Sequence, residues 1–120
     1  MNWGIVFIVL IVLYFMIKPS LPVKGVLNIT TSDVKAKLKD RDIQFVDVRT
    51  PHEYSEYHKK SFMNIPLEQL ANRYHELDKE KEVVLICQSG MRSIRASRIL
   101  KQKGFNNIYH VKGGLSTWVK

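Results

Sequence analysis

Residues 83–93 read Val83-Val84-Leu85-Ile86-Cys87-Gln88-Ser89-Gly90-Met91-Arg92-Ser93. Val83 to Cys87 is a wholly apolar run of strand length, the pattern of a strand covered on both faces in the middle of a parallel sheet. The run ends on the single cysteine of the chain, and the short loop behind it leads into a helix expected from about Ser93 to Lys103. Ala96, Ile99 and Leu100 form that helix's inward stripe and Gly104 ends it. In open α/β sheets, ligands gather beyond the carboxyl ends of the strands, so the cysteine stands where chemistry belongs. Gly90 permits a positive φ, which lets the loop curl and aim successive backbone N–H groups at the sulfur. The helix N-terminus and Arg92 add positive charge, and both favour a thiolate and any anion attached to it. A buried inert thiol fits the same position, because most free cysteines are core residues.

Outward from this segment, strand and helix patterns alternate. Val26 to Ile29 is a short strand candidate. Thr30 or Thr31 caps a helix to about Lys39, with Val34 and Leu38 as its apolar stripe. Ile43 to Val48 is a strand, and Thr50-Pro51-His52-Glu53 supplies a capping box with proline at the first helical position. Phe62 to Ile65 forms a brief strand and Leu67 to Leu77 an amphipathic helix. Asn107 to Val111 is the last strand, and Gly113-Gly114 leads to a short terminal helix with Trp118. This order predicts an α/β domain with a mainly parallel sheet over residues 26–120.

The chain has 120 residues, 45% of them hydrophobic and 25% charged, an ordinary globular composition with room for one domain. One cysteine excludes an intramolecular disulfide and a cysteine-rich metal centre. His52, His58, His75 and His110 are scattered, and the nearest pair is six apart, so no metal and no cofactor is expected. The net charge of +8 suits an anionic substrate or anionic lipid, or merely solubility. No recognition motif or aromatic-interleaved basic run accompanies it, so nucleic acid is not an expected partner. Arg92, Arg95 and Arg98 recur every third residue, which fits a solvated helix face as well as a basic stripe beside the site.

Trp3 to Ile17 is an uninterrupted apolar run with no charge and no polar face. It reads as an uncleaved membrane anchor over residues 1–18, lengthened by Met1, Asn2 and the stem of Lys18. A signal peptide would need a basic n-region and a small-x-small site, and neither is present. Lys18 and Lys24 on the C-terminal side place the globular part in the cytoplasm, giving a single-pass protein of the cell membrane. Residues 19–25, with two prolines and one glycine, form a stiff linker.

Several segments together resemble one family. Cys87-Gln88-Ser89-Gly90-Met91-Arg92-Ser93 resembles the C-x-x-G-x-R-S loop of rhodanese-like sulfurtransferases. Asp47-Val48-Arg49, followed by Glu53-Tyr54, looks like its strand-to-helix segment, and Asn64-Ile65-Pro66-Leu67 like its N-I-P-L turn. Gly104-Phe105 and Val111-Lys112-Gly113-Gly114, with Trp118 beyond, are similar to its C-terminal signature. The resemblance implies a five-stranded parallel sheet flanked by helices. It also implies a cysteine that takes a sulfane sulfur as a persulfide from a small anionic donor such as thiosulfate and passes it to a thiol or cyanide-like acceptor. Carried over, Cys87 is the nucleophile, and Gln88, Ser89, Gly90, Met91, Arg92 and Ser93 form the substrate cradle. Arg92 binds the anion or fixes the loop, while Asp47, Arg49 and Glu53 support the frame. Tyr57 to Phe62 departs from the family pattern, lacking its turn glycines and proline and keeping only His58.

Phosphatases and arsenate reductases also hold a cysteine in a loop of N–H donors, but theirs is C-x5-R and this one is C-x4-R. The tighter loop suits a single sulfur atom better than a tetrahedral oxyanion. A persulfide carrier served by protein partners, and a regulatory rhodanese-like module, share the same segments. Tyr109 and His110 read as packing or surface residues.

Overall fold

The apolar tetrads of the sequence become the strands of one sheet. A computed structural model describes residues 2–18 and 21–118. The strands are β1 (Val26–Ile29), β2 (Gln44–Asp47), β3 (Met63–Asn64), β4 (Val83–Ile86) and β5 (Ile108–Val111), in the order β1-β5-β4-β2-β3. Every neighbouring pair is parallel. Between and after them lie α2 (Thr31–Lys37), α3 (Pro51–Glu56), α4 (Leu67–Arg73) and α5 (Met91–Gln102), preceded by α1 (Trp3–Ile17). Two 3-10 turns, Tyr74–Glu76 and Gly114–Thr117, complete the described elements.

β4 is central, and its four residues are fully buried because its side chains alternate between two cores. Val83, Leu85 and Cys87 face one cluster with Val46, Ile108, Leu70 of α4 and Ala96 and Leu100 of α5. Val84 and Ile86 face the other, with Val34 of α2, Phe45, Phe62 and Val111. A cysteine at the end of this strand is therefore held by packing on every side.

Both capping boxes form: Thr30 with Asp33 starts α2, and Thr50 with Glu53 starts α3. α2 stops at Lys37 rather than Lys39, with Leu38 as its cap. α4 tightens into a 3-10 turn after Arg73, yet Leu77 remains buried as its apolar stripe requires. α5 starts at Met91, two residues earlier than its pattern predicts, because Gly90 at φ +101° turns the chain straight into the helix.

The expected membrane anchor is overturned. α1 has 15 residues, which at ~1.5 Å each span roughly 22 Å against a ~30 Å hydrocarbon core. Asn2 does not lengthen it, since its side chain accepts from the Gly4 N–H as an N-cap, and Lys18 closes the other end as C-cap. Among the described residues no helix is long and apolar enough to cross a membrane. The single-pass topology and the cytoplasmic placement built on that helix fall with it. Met1, and Pro19 and Ser20 of the expected linker, lie outside the described residues, as do the last two positions of the domain. Beyond the linker's start, the Arg98 guanidinium of α5 donates to the carbonyls of Lys18 and Leu21 at 3.3 and 3.4 Å.

Candidate active site

Cys87 follows β4 and its sulfur points back under the loop that opens α5. The Gly90 N–H donates to Sγ at 2.9 Å and the Ser93 N–H at 3.4 Å. The residue has no exposed surface, so these donors, rather than water, would neutralise charge on the sulfur. Of the expected cradle, Gly90 and Ser93 turn inward and are buried, whereas Gln88, Ser89 and Met91 are exposed on the rim. The outer wall is the C-terminal turn: the Leu115 N–H donates to the Cys87 carbonyl at 2.9 Å and the Ser116 N–H to the Gln88 carbonyl at 3.0 Å. A Cβ on Gly114 would lie 2.2 Å from the Cys87 carbonyl oxygen, so this close approach requires glycine. The Gly113-Gly114 pair thus fixes the start of the cysteine loop from outside.

Arg92 directs its hydrogen bonds to Glu53. Its guanidinium grips the Glu53 carboxylate with two bonds, Nη1–Oε1 at 2.5 Å and Nη2–Oε2 at 2.9 Å. Glu53 is also the N3 residue of α3, where its carboxylate accepts from the Thr50 N–H at 3.1 Å. One carboxylate therefore caps one helix and anchors the first turn of another. The Arg92 hydrogen bonds, assisted by those from Thr50 and opposed by partial burial, bring the Glu53 carboxyl from 4.5 down to about 2. A depressed carboxyl stabilises the fold fully above its unfolded value, and that contribution is lost as pH falls from about 4.5 to about 2. Both side chains are one-third exposed, so solvent screening reduces the contribution to about 1–2 kcal/mol. Glu53→Gln should therefore lower stability by that amount near neutrality, with the difference vanishing at the acid end. Urea midpoints across the acid range check this, and a difference independent of pH would refute it.

Asp47 and Arg49 frame the site from the end of β2. The pair is almost fully buried, with Arg49 Nη2 2.8 Å from Asp47 Oδ2 and Arg49 Nε donating to both carboxylate oxygens at 3.0 Å. The Arg49 guanidinium also donates to the Tyr57 carbonyl at 2.6 Å, and the Asn64 amide donates to the carbonyls of Asp47 and Arg49. β2, β3 and the end of α3 are thereby tied at one point. The unusual stretch after Tyr57 closes without glycine or proline. The Tyr54 hydroxyl donates to the Phe62 carbonyl, the Phe62 N–H donates to the Lys59 carbonyl, and Tyr54 stacks on His58 at 3.8 Å between ring centroids.

His110, expected as a packing or surface residue, is buried, and it meets a polar partner that its own segment does not reveal. Ile108 and His110 share the face of β5 that looks toward α5, and both are buried, at 1% and 4% exposure. Ser93 Oγ lies 2.5 Å from His110 Nδ1 and 3.6 Å from Cys87 Sγ. The signal available was a histidine at an inward position of an otherwise apolar strand. Burial pushes its titration below the ordinary 6.5.

A buried sulfur at the carboxyl edge of a parallel sheet, cradled by N–H groups at a helix N-terminus, defines an α/β protein built around a cysteine-bearing strand-to-helix loop. The chain belongs to the rhodanese-like domain family, whose model, described as "Rhodanese-like domain", matches residues 30–120. It is 42% identical over 78 residues to "Uncharacterized protein YqhL" of Bacillus subtilis, covering 65% of this chain and 62% of that one. It is 30% identical over 94 residues to a protein named "Sulfurtransferase" from Allochromatium vinosum, covering 78% and 88% of the two chains. A rhodanese-related protein from Thermoplasma volcanium has the same fold, with a TM-score of 0.69 at 32% identity over 77% of this chain and 89% of that one. The chain thus spans less than two thirds of YqhL and most of the Allochromatium relative.

Proposed function

We propose that the protein is a sulfurtransferase that carries sulfur on Cys87 as a persulfide. The observation that supports this best is the Cys87 sulfur receiving the Gly90 and Ser93 N–H groups at the head of α5. The Cys87 thiolate attacks the outer sulfur of an anionic donor such as thiosulfate. An S–S bond forms to Cys87, the donor's own S–S bond breaks, and sulfite leaves with its electron pair. The terminal persulfide sulfur then carries the negative charge, which the loop N–H groups and the N-terminus of α5 stabilise. A thiol or cyanide-like acceptor attacks that terminal sulfur, and the Cys87 thiolate departs as the leaving group.

Gly90 and Ser93 supply the donors, Gln88, Ser89 and Met91 border the entrance, and Arg92 sets the loop through Glu53. Asp47 and Arg49 hold the frame and take no part in the reaction. The relative named a sulfurtransferase supports the same activity. The four-residue spacing from Cys87 to Arg92 favours a single sulfur over a phosphoryl group.

The test is an intact mass of the protein after exposure to thiosulfate. A gain of one sulfur atom that a reducing agent removes, with thiocyanate released on adding cyanide, is the expected result. Loading without turnover would mark a carrier that hands its sulfur to a protein. No loading from thiosulfate or from a persulfide donor would overturn the proposal.

A further inference from the structure

The Ser93 hydroxyl and His110 form a buried polar pair that the sulfur chemistry above leaves unused. They stand in line with the nucleophile: the Cys87 thiol is 3.6 Å from Ser93 Oγ, which is 2.5 Å from His110 Nδ1. Proton counting shows what this line can do. The Ser93 hydroxyl has one hydrogen and two acceptors in reach, Nδ1 and the Gly90 carbonyl at 3.0 Å. That carbonyl already accepts from the Ile94 N–H at 3.3 Å, the first rung of α5. The hydroxyl can therefore give its hydrogen to the imidazole without leaving a buried acceptor unpaired. Desolvation keeps the imidazole neutral near neutral pH, and no charged neighbour adds to that shift.

We propose that His110 is a positioning residue that takes up the proton of Cys87 through the Ser93 hydroxyl. The inference rests on the assignment of Cys87 as the sulfur-carrying nucleophile. In the step, the S–H bond breaks and its proton goes to Ser93 Oγ, while the hydroxyl's own proton passes to Nδ1. The products are a thiolate, an unchanged hydroxyl and an imidazolium one hydroxyl away. The new positive charge offsets the new negative one on a sulfur that has no exposed surface in the resting fold. Nothing is oxidised or reduced.

The surroundings of His110 leave this route clear. Across the sheet it pairs with Asn28 of β1 and Leu85 of β4, neither of which titrates. Towards α5 it faces Ser93 with Cys87 behind and Gly90 beside its ring, and the charged group that acts on Cys87 is Arg92, ion-paired to Glu53.

The experiment is the pH dependence of the rate of sulfur loading from thiosulfate, read by quenched intact mass on the full chain. His110→Asn keeps a hydrogen-bonding group beside Ser93 and cannot take a proton. It should load about tenfold or more slowly at about pH 6 and match wild type in strong base, where hydroxide removes the thiol proton unaided. Ser93→Ala cuts the line at its middle, should show the same pH-dependent loss, and decides the matter if His110→Asn does not fold. A rate unchanged at every pH, or lowered by one constant factor, would overturn the relay and leave His110 a packing residue. The same profile with iodoacetamide, which needs only the thiolate, separates the two proposals. A wild type that takes no sulfur yet shows the His110-dependent alkylation profile would refute sulfur transfer and uphold the relay. Alkylation indifferent to His110 would refute the relay alone.

Discussion

Cys87→Ser is expected to abolish sulfur loading while leaving the fold intact. The change exchanges sulfur for oxygen at a position that packing holds on every side, so the hydroxyl occupies the same place under the loop. The Gly90 and Ser93 N–H groups that now reach Sγ then find a hydroxyl oxygen as acceptor, and no buried donor is orphaned. Stability should stay within about 1–2 kcal/mol of wild type, the range of an ordinary single substitution. The chemistry has no such tolerance. A serine hydroxyl is not ionised near neutrality and is a poor nucleophile without a strong base, and its oxygen cannot serve as the leaving group of a persulfide. The loading rate should fall by about 10⁴-fold or more, the scale of losing an essential nucleophile. Cys87 is the only cysteine in the chain, so no second thiol can mask the loss. Intact mass after thiosulfate, beside a thermal melt, reads both halves. A serine variant that still gains reducible sulfur would place the sulfur elsewhere and sink the assignment.

The parts of this molecule visible in the sequence are those decided by neighbours along the chain. The apolar run Val83 to Cys87 announces a central parallel strand because both of its faces must be buried, and both are. Thr50 and Glu53 announce a helix start because capping is a contact over three residues, and it forms with proline at N1. Gly90 announces the turn into α5, since an L-residue with a Cβ would be strained there. The parts hidden in the sequence depend on distant positions. Arg92 was free to be read as an anion ligand or a loop clamp. Only the fold brings Glu53, 39 positions away, into bidentate contact with it. His110 reads as a packing or surface residue because nothing in its own segment reveals Ser93 on the preceding helix. The reach of α1 is hidden for a different reason. Hydropathy counts apolar residues, but Asn2 and Lys18 act as caps, and capping rather than composition sets where a helix ends. After Tyr57, a tyrosine hydroxyl and an aromatic stack replace the missing turn residues, a substitution that no motif anticipates.

Removing one partner of the Asp47–Arg49 pair should cost more stability than any surface change in this protein. Asp47→Ala leaves the Arg49 guanidinium in place with only 4% of its side chain exposed and no carboxylate beside it. The Tyr57 carbonyl still accepts one of its N–H groups, but the bonds to both carboxylate oxygens are lost. Breaking a buried pair from one side typically costs about 3–5 kcal/mol, because the surviving charge has neither water nor counter-charge. Domains of this size have about 5–15 kcal/mol in total, so the variant should melt well over ten degrees lower or fail to fold at ambient temperature. The damage also reaches the site through geometry. Without the carboxylate, Arg49 no longer fixes the end of β2 against α3, whose Glu53 holds Arg92 and with it the loop around Cys87. Replacing both partners by apolar residues of similar volume, as in Asp47→Leu with Arg49→Met, removes the stranded charge and should recover a large part of the loss. Urea unfolding of the two single variants and the double variant completes the cycle. A single variant within about 1 kcal/mol of wild type would mean that water enters to solvate Arg49. The pair would then be a surface bridge in energetic terms, despite its burial.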